Sequence, residues 1–108
     1  MSAEVRARLV NLLAGAHIGR LNGIPGERLA QQLQVCPRDL RKHISDARAE
    51  GTAIVGTPET GYYIAQNPDE LTECCQFLRR RALHSLALEA KLRGIALPEL
   101  LGQLHLPT

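Results

Sequence analysis

The side chains with the clearest chemical potential are the cations of the stretch PRDLRKHISDARAE, residues 37–50. In a helix that turns about 100° per residue, Leu40, Ile44 and Ala47 form one stripe, and the cations lie opposite it or beside it. The outward set comprises Arg38, Arg41, Lys42, Ser45 and Arg48. Arginine can bind the O6 and N7 atoms of guanine with two hydrogen bonds, whereas lysine more often binds a phosphate. The pattern therefore indicates a surface for hydrogen bonding to nucleic acid.

A second interpretation of the same helix is a solvated surface. Asp39, Asp46 and Glu50 lie on or near the cationic side, and ion pairs three or four residues apart contribute about 0.2–0.5 kcal/mol each to a helix. Between residues 38 and 48 there are four basic and two acidic side chains. This balance favours nucleic-acid contact but leaves a structural or protein-binding use open.

Other reactive residues have no catalytic or metal-binding arrangement in the sequence. Cys36, Cys74 and Cys75 make neither an even disulfide framework nor the paired spacing of a zinc site. The four histidines are far apart in the chain, and no phosphate-binding loop or nucleophile elbow occurs. We therefore expect no enzymatic activity, no cofactor and no metal.

The elements that must position the cationic helix can be predicted from caps and periodicity. Residues 3–14 have the spacing of a helix with one apolar face, and a second, short helix begins at Pro25. In the glycine-rich connector between them, Ile18 and Leu21 are expected to pack against the core. After a break at residues 34–37, the cationic helix begins at Pro37 and ends before Gly51. Two β-rich runs around the loop 57–61 then predict a hairpin.

The remaining chain predicts a long helix from about Asn67 to Arg93 and a short one at Pro98 to Leu104. Apolar residues in the first half of the long helix form one stripe that is expected to be buried. The stripe comprises Leu71, Cys74, Cys75, Leu78, Ala82 and Leu86. From residue 82 to residue 92 apolar side chains spread round most of the circumference, which implies a partner and most simply a second copy. The predicted dimerisation residues are Leu78, Ala82, Leu83, Leu86 and Leu92.

The chain as a whole fits one small domain with an appendage. It has 108 residues, three aromatic side chains and a net charge of +2, so we expect a mostly α fold with a core of aliphatic side chains. The order of elements predicts a winged helix-turn-helix at residues 1–66 and a helical C-terminal extension at 67–108. The N-terminus lacks the apolar run of a signal peptide, and no stretch approaches a membrane span, so a cytoplasmic protein is expected.

The segment GERLAQQLQVCPRDLRKHISDARAEG, followed by GYYIA, resembles a known module. It is similar to the N-terminal winged helix of bacterial biotin-repressor-type regulators, and to small phage or prophage winged-helix proteins in which a long helix follows the same strand. The resemblance covers roughly residues 3–66. It implies DNA binding through the five residues of the cationic helix, with the loop 57–61 as a wing that offers Thr57 and Thr60. The wing contains Glu59 and no cation, and the resemblance does not extend to a ligase domain, so it does not imply the biotin chemistry of the larger regulators.

The function predicted from these observations is a small transcriptional regulator of phage or prophage origin that binds duplex DNA as a dimer. The alternative is a protein-interaction adaptor or a replication-associated phage factor that docks on host machinery. The modest net charge, the acidic wing and the apolar excess after Ala82 favour this alternative.

Overall fold

The structure is a computed structural model and describes residues 2–104. It is mostly helical and contains one antiparallel hairpin, so the predicted fold class, a winged helix-turn-helix followed by a long C-terminal helix, is confirmed. The elements are α1 (Ser2–Ala16), α2 (Gly26–Leu33), α3 (Pro37–Ala49), β1 (Ile54–Thr57), β2 (Gly61–Ile64), α4 (Pro68–Arg93) and α5 (Leu97–Gln103), with a 3-10 turn at Arg20–Asn22 between α1 and α2. One compact unit ends at Cys74 and a second begins at Cys75.

The core of the first unit is built from aliphatic side chains that recur at helical spacing. Each of the first three helices contributes a pair of residues that are at most 2% exposed. These pairs are Leu9 and Leu13, Leu29 and Leu33, and Leu40 and Ile44. A fully buried leucine or isoleucine contributes about 1.5–3 kcal/mol. The same burial that stabilises the unit also fixes the rotation of α3 about its axis.

A tight turn joins α2 to α3. Gln34 has φ 58°, the left-handed conformation, and Val35 N–H donates to the Ala30 carbonyl over 3.0 Å. Pro37 then occupies the first turn of α3, where its missing N–H leaves no bond unmade. These local features start α3 at the predicted residue.

The hairpin is part of a wider set of backbone pairings. β1 and β2 pair with Val55 opposite Tyr63, and on the other side of β2 the connector adds a short bridge. Ile24 N–H donates to the Tyr62 carbonyl over 2.9 Å, and Tyr62 N–H donates to the Ile24 carbonyl over 2.7 Å. The expectation that Leu21 packs against the core is wrong, because Leu21 is 98% exposed. The turn that carries Leu21 is held by backbone hydrogen bonds and needs no buried side chain there.

The start of α4 is capped as the sequence predicts. Asn67 Oδ1 accepts from Glu70 N–H over 2.9 Å. Glu70 in turn accepts from the N–H groups of Gln66, over 2.8 Å, and Arg20, over 3.1 Å. The N–H of Gln66 is the main cause that holds the pKa of Glu70 below its usual value. This carboxylate therefore ties the 3-10 turn to the first turn of α4.

The predicted buried stripe on α4 is largely wrong. Cys74 is buried beside Val55 and Tyr63, but most of the other stripe residues are exposed. The exposed ones are Leu71, Cys75, Leu78 and Ala82. Helical periodicity identifies an apolar stripe but not what covers it, and among the described residues nothing covers these four side chains. No helix in residues 2–104 is long and apolar enough to cross a membrane.

Candidate nucleic-acid interface

The cationic face of α3 is open along its N-terminal half. Arg38, Arg41, Lys42 and Ser45 are all exposed. Opposite them, the helix buries Leu40, His43, Ile44 and Ala47. Within residues 2–104 no ion pair involves the three cations. Four predicted site residues therefore share one accessible face, where hydrogen-bond donors can reach outward together.

The acidic residues at the far end of α3 have a partner on another helix. Arg6 of α1 places its Nε 2.6 Å from Glu50 Oε1, and one of its Nη atoms 3.9 Å from Asp46 Oδ2. The two carboxylates and the guanidinium together carry one net negative charge, whereas the carboxylates alone would carry two. Arg6 of α1 therefore neutralises part of the negative charge that Asp46 and Glu50 place beside the cationic face.

Sequence reasoning missed Arg6, and the local pattern contains no signal for it. Arg6 and Glu50 are more than forty residues apart in the chain, whereas the ion pairs considered from sequence were those within α3. Only the packing of α1 against α3 brings the two together.

Arg48 differs from the other four predicted residues. Its side chain is half-buried, and its Nε donates to the Ile54 carbonyl over 2.8 Å. Around it, Gly51 has φ 100°, Gly51 N–H donates to the Arg48 carbonyl and Thr52 N–H donates to the Ala47 carbonyl. This is the glycine-terminated helix end that the sequence predicts. Arg48 therefore fixes the end of α3 against the start of β1.

The loop between β1 and β2 uses its polar groups internally. The hydroxyls of Thr57 and Thr60 lie 2.6 Å apart, and Thr60 N–H donates to Thr57 Oγ1 over 3.0 Å. Pro58 and Glu59 are the exposed residues of the tip. The loop thus presents a carboxylate and no cation, and its two threonine hydroxyls are already paired.

The predicted dimerisation residues are divided among faces of α4. Leu78, Ala82, Leu83 and Leu92 are exposed, the last at 88%, and Leu86 is half-buried. At about 100° per residue, Leu83 lies about 140° round the helix from Leu78, whereas Ala82 and Leu92 lie within about 40° of it. The exposed residues Cys75, Leu78, Ala82, Ser85 and Leu92 form one seam with steps of three, four and seven residues.

Charge is distributed unevenly along the chain. Residues 1–74 contain eight Arg or Lys and nine Asp or Glu, while residues 75–108 contain five and two. The positive character of α3 is therefore local, and the larger cationic excess lies in residues 75–108. Among residues 2–104, no three His, Cys, Asp or Glu side chains cluster as a metal ion requires.

Comparisons with known proteins add little to this geometry. No protein-family model and no curated protein matches the chain. Among solved structures, it is similar to a GntR family transcriptional regulator from Listeria monocytogenes, with 14% identity and a TM-score of 0.43. The match covers 93% of this chain and 87% of that chain. At this TM-score the likeness carries no argument about function. The assignment of the candidate interface therefore depends only on the residues of this chain.

Proposed function

We propose that this protein is a small regulator that binds duplex DNA through the exposed face of α3. The observation that carries the proposal is the joint exposure of Arg38, Arg41, Lys42 and Ser45 on one face of a helix whose other face is buried. An α-helix fits the major groove, and in helix-turn-helix proteins the N-terminal residues of the second helix contact the base edges. Arg38, Arg41 and Lys42 lie in that half of α3, and Ser45 lies just after it on the same face.

The roles within the site follow from the accessibility of each side chain. Arg38 and Arg41 are the candidates for guanine edges, since a guanidinium offers paired donors. Lys42 is suited to a phosphate, and Ser45 to either. Arg48 is a positioning residue, because its Nε already holds Ile54. Thr57 and Thr60 are secondary candidates, since a phosphate would compete with the hydrogen bond between them.

Binding as a homodimer is the second part of the proposal. The seam of Cys75, Leu78, Ala82, Ser85 and Leu92 leaves two leucines exposed at 41% and 88%. Steps of three and four residues suit the packing of one helix against another. A second copy would cover the seam and present two α3 helices to two half-sites, and the second half-site would then bind at high effective concentration.

The DNA-binding part is tested by fluorescence anisotropy with genomic fragments selected by the wild-type protein. Arg41→Ala combined with Lys42→Ala is expected to abolish binding while leaving the circular dichroism spectrum unchanged, because both side chains are exposed. The matched control is Arg79→Ala with Arg93→Ala, two exposed cations of α4. Wild-type affinity in the Arg41/Lys42 variant would refute the assignment.

The dimer is tested by light scattering over a range of protein concentrations. We expect a dimer for the wild type and a monomer for Leu78→Asp. Leu21→Asp is the control, because Leu21 is an exposed leucine outside α4. A wild-type protein that stays monomeric at all concentrations would exclude the seam as a self-association surface.

An interaction adaptor is the rival function, and two observations favour it. Leu21 is 98% exposed in the first unit, and that part of the chain has no excess of positive charge. The rival predicts that the protein shows no salt-sensitive DNA binding and that one host protein is recovered with it from nuclease-treated lysate.

Phage or prophage origin is part of our proposal, and the neighbouring genes would distinguish a prophage switch from a replication cassette.

A further inference from the structure

A second cationic surface lies on α4, outside the helix-turn-helix. Phe77, Arg80, Arg81, His84 and Ser85 line an open groove along this helix. At about 100° per residue these five side chains fall within about 140° of one another. All but Phe77 are exposed. We name this surface the α4 groove.

Among residues 2–104 no acidic side chain forms an ion pair with the arginines of the α4 groove. No acidic residue occurs between Glu73 and Glu89. Among residues 2–104 neither Arg80 nor Arg81 takes part in an ion pair, whereas Arg93 of the same helix has its Nε 2.7 Å from Glu89 Oε2. Two adjacent unpaired guanidinium groups repel each other and are stabilised by an anion.

One of these arginines is also held in place. The guanidinium carbon of Arg81 lies 5.8 Å from the centre of the Phe77 ring, in range of a cation–π contact. At an exposed site such a contact contributes about 0.5–1 kcal/mol and so favours the rotamers that keep Arg81 beside the ring. A restrained planar fork matches the oxygens of a phosphate and loses less entropy on binding.

We propose that the α4 groove binds the phosphate backbone of duplex DNA without reading its sequence. Arg80, Arg81 and His84 offer guanidinium or imidazole donors to phosphate oxygens, whereas Ser85 also belongs to the seam that a second copy would cover. The proposal rests on the proposed DNA-binding function and extends it, since α3 supplies the sequence-dependent contacts and α4 the sequence-independent ones.

The test compares two double variants of the full-length protein that remove the same charge. Arg80→Gln with Arg81→Gln replaces both arginines of the α4 groove with uncharged side chains. Arg79→Gln with Arg93→Gln removes two arginines whose positions lie about 100–160° round the helix from the groove residues Arg80 and Arg81. The probes are one duplex selected by the wild type and one of shuffled sequence, each titrated by anisotropy between about 50 and 200 mM salt.

We expect the Arg80/Arg81 variant to lose affinity for both duplexes by a similar factor. The slope of log K against log salt should become shallower by about two per protomer, since each phosphate contact contributes about 0.9 to it. The Arg79/Arg93 variant should keep a slope near that of the wild type. Equal slopes in the two variants, or a wild-type slope in the Arg80/Arg81 variant, would overturn the proposal.

Two further measurements separate the possible failures. If Arg41→Ala with Lys42→Ala leaves binding intact while the Arg80/Arg81 variant weakens it, the α3 assignment fails and the α4 groove stands. If the Arg80/Arg81 variant binds both duplexes like the wild type but loses affinity for poly-glutamate, the groove serves an acidic protein and the proposal is wrong. Circular dichroism verifies that each variant is folded.

Discussion

The contact between Arg6 and the acidic end of α3 leads to a prediction about residues that need not touch DNA. Arg6 lies beside Glu50 and Asp46, so the three side chains together carry one net negative charge next to the cationic face. Arg6→Ala leaves two negative charges. Asp46→Asn with Glu50→Gln leaves one positive charge, and the triple variant is neutral. The proposed site therefore predicts that DNA affinity is highest for the Asp46/Glu50 variant. It should then fall in the order triple variant, wild type and Arg6 variant.

The size of each step can be worked out from Coulomb's law. A unit charge about 10 Å from a phosphate contributes about 0.4 kcal/mol in water, and phosphates on both walls of a groove add to this before salt screens them. We expect about 0.5 kcal/mol per unit charge at low salt, which is about a twofold change in Kd. Across three units the extremes should differ about tenfold.

The fold should survive these changes, because exposed ion pairs contribute only about 0.2–1 kcal/mol. The side chains of Asp46 and Glu50 are 40% and 56% exposed. Anisotropy at about 50 mM salt measures the four affinities, and repetition at about 200 mM should compress them. Arg8→Ala is the control, since it removes the same charge from α1 without freeing a carboxylate of α3. An affinity order that does not follow the charge would refute the placement of DNA against this face.

Two predictions concern the stability of the fold. In the folded protein, the hydrogen bond from Gln66 N–H lowers the pKa of Glu70 below its usual 4.5. The ionised carboxylate therefore stabilises the fold at pH values above 4.5, and this contribution is lost as the pH falls through the lowered pKa. Urea midpoints of wild type and Glu70→Gln should therefore differ at pH 7 and converge on acidification; a constant difference would contradict the linkage. Gly61→Ala should destabilise by more than Gly51→Ala in thermal unfolding, because both glycines have positive φ but only at Gly61 would a Cβ meet the Ile24 carbonyl. We expect about 1 kcal/mol for Gly51→Ala and at least about 2 kcal/mol for Gly61→Ala; equal losses would be the contrary result.

The sequence by itself determined the elements that carry local signals. Pro37 starts α3 and Gly51 ends it, and the caps at these positions act over a few residues. The β-rich runs around residues 57–61 are enough to predict the hairpin, and the 3.6-residue period places the cations of α3 opposite Leu40 and Ile44. These inferences depend only on neighbours in the chain, so they need no knowledge of the packing. DNA contact by these cations stays a prediction.

The tertiary structure decided which side chains have partners and which surfaces are covered. Arg6 reaches Glu50 because α1 packs against α3, and Ile24 forms an isolated β-bridge beside β2 because its backbone meets Tyr62. On α4 the apolar pattern is clear from sequence, yet Leu78 is exposed while Cys74 is buried. Periodicity states only that a stripe is apolar. Whether a stripe meets a core, a second copy or water depends on contacts between distant parts of the chain, and those contacts have no local signal.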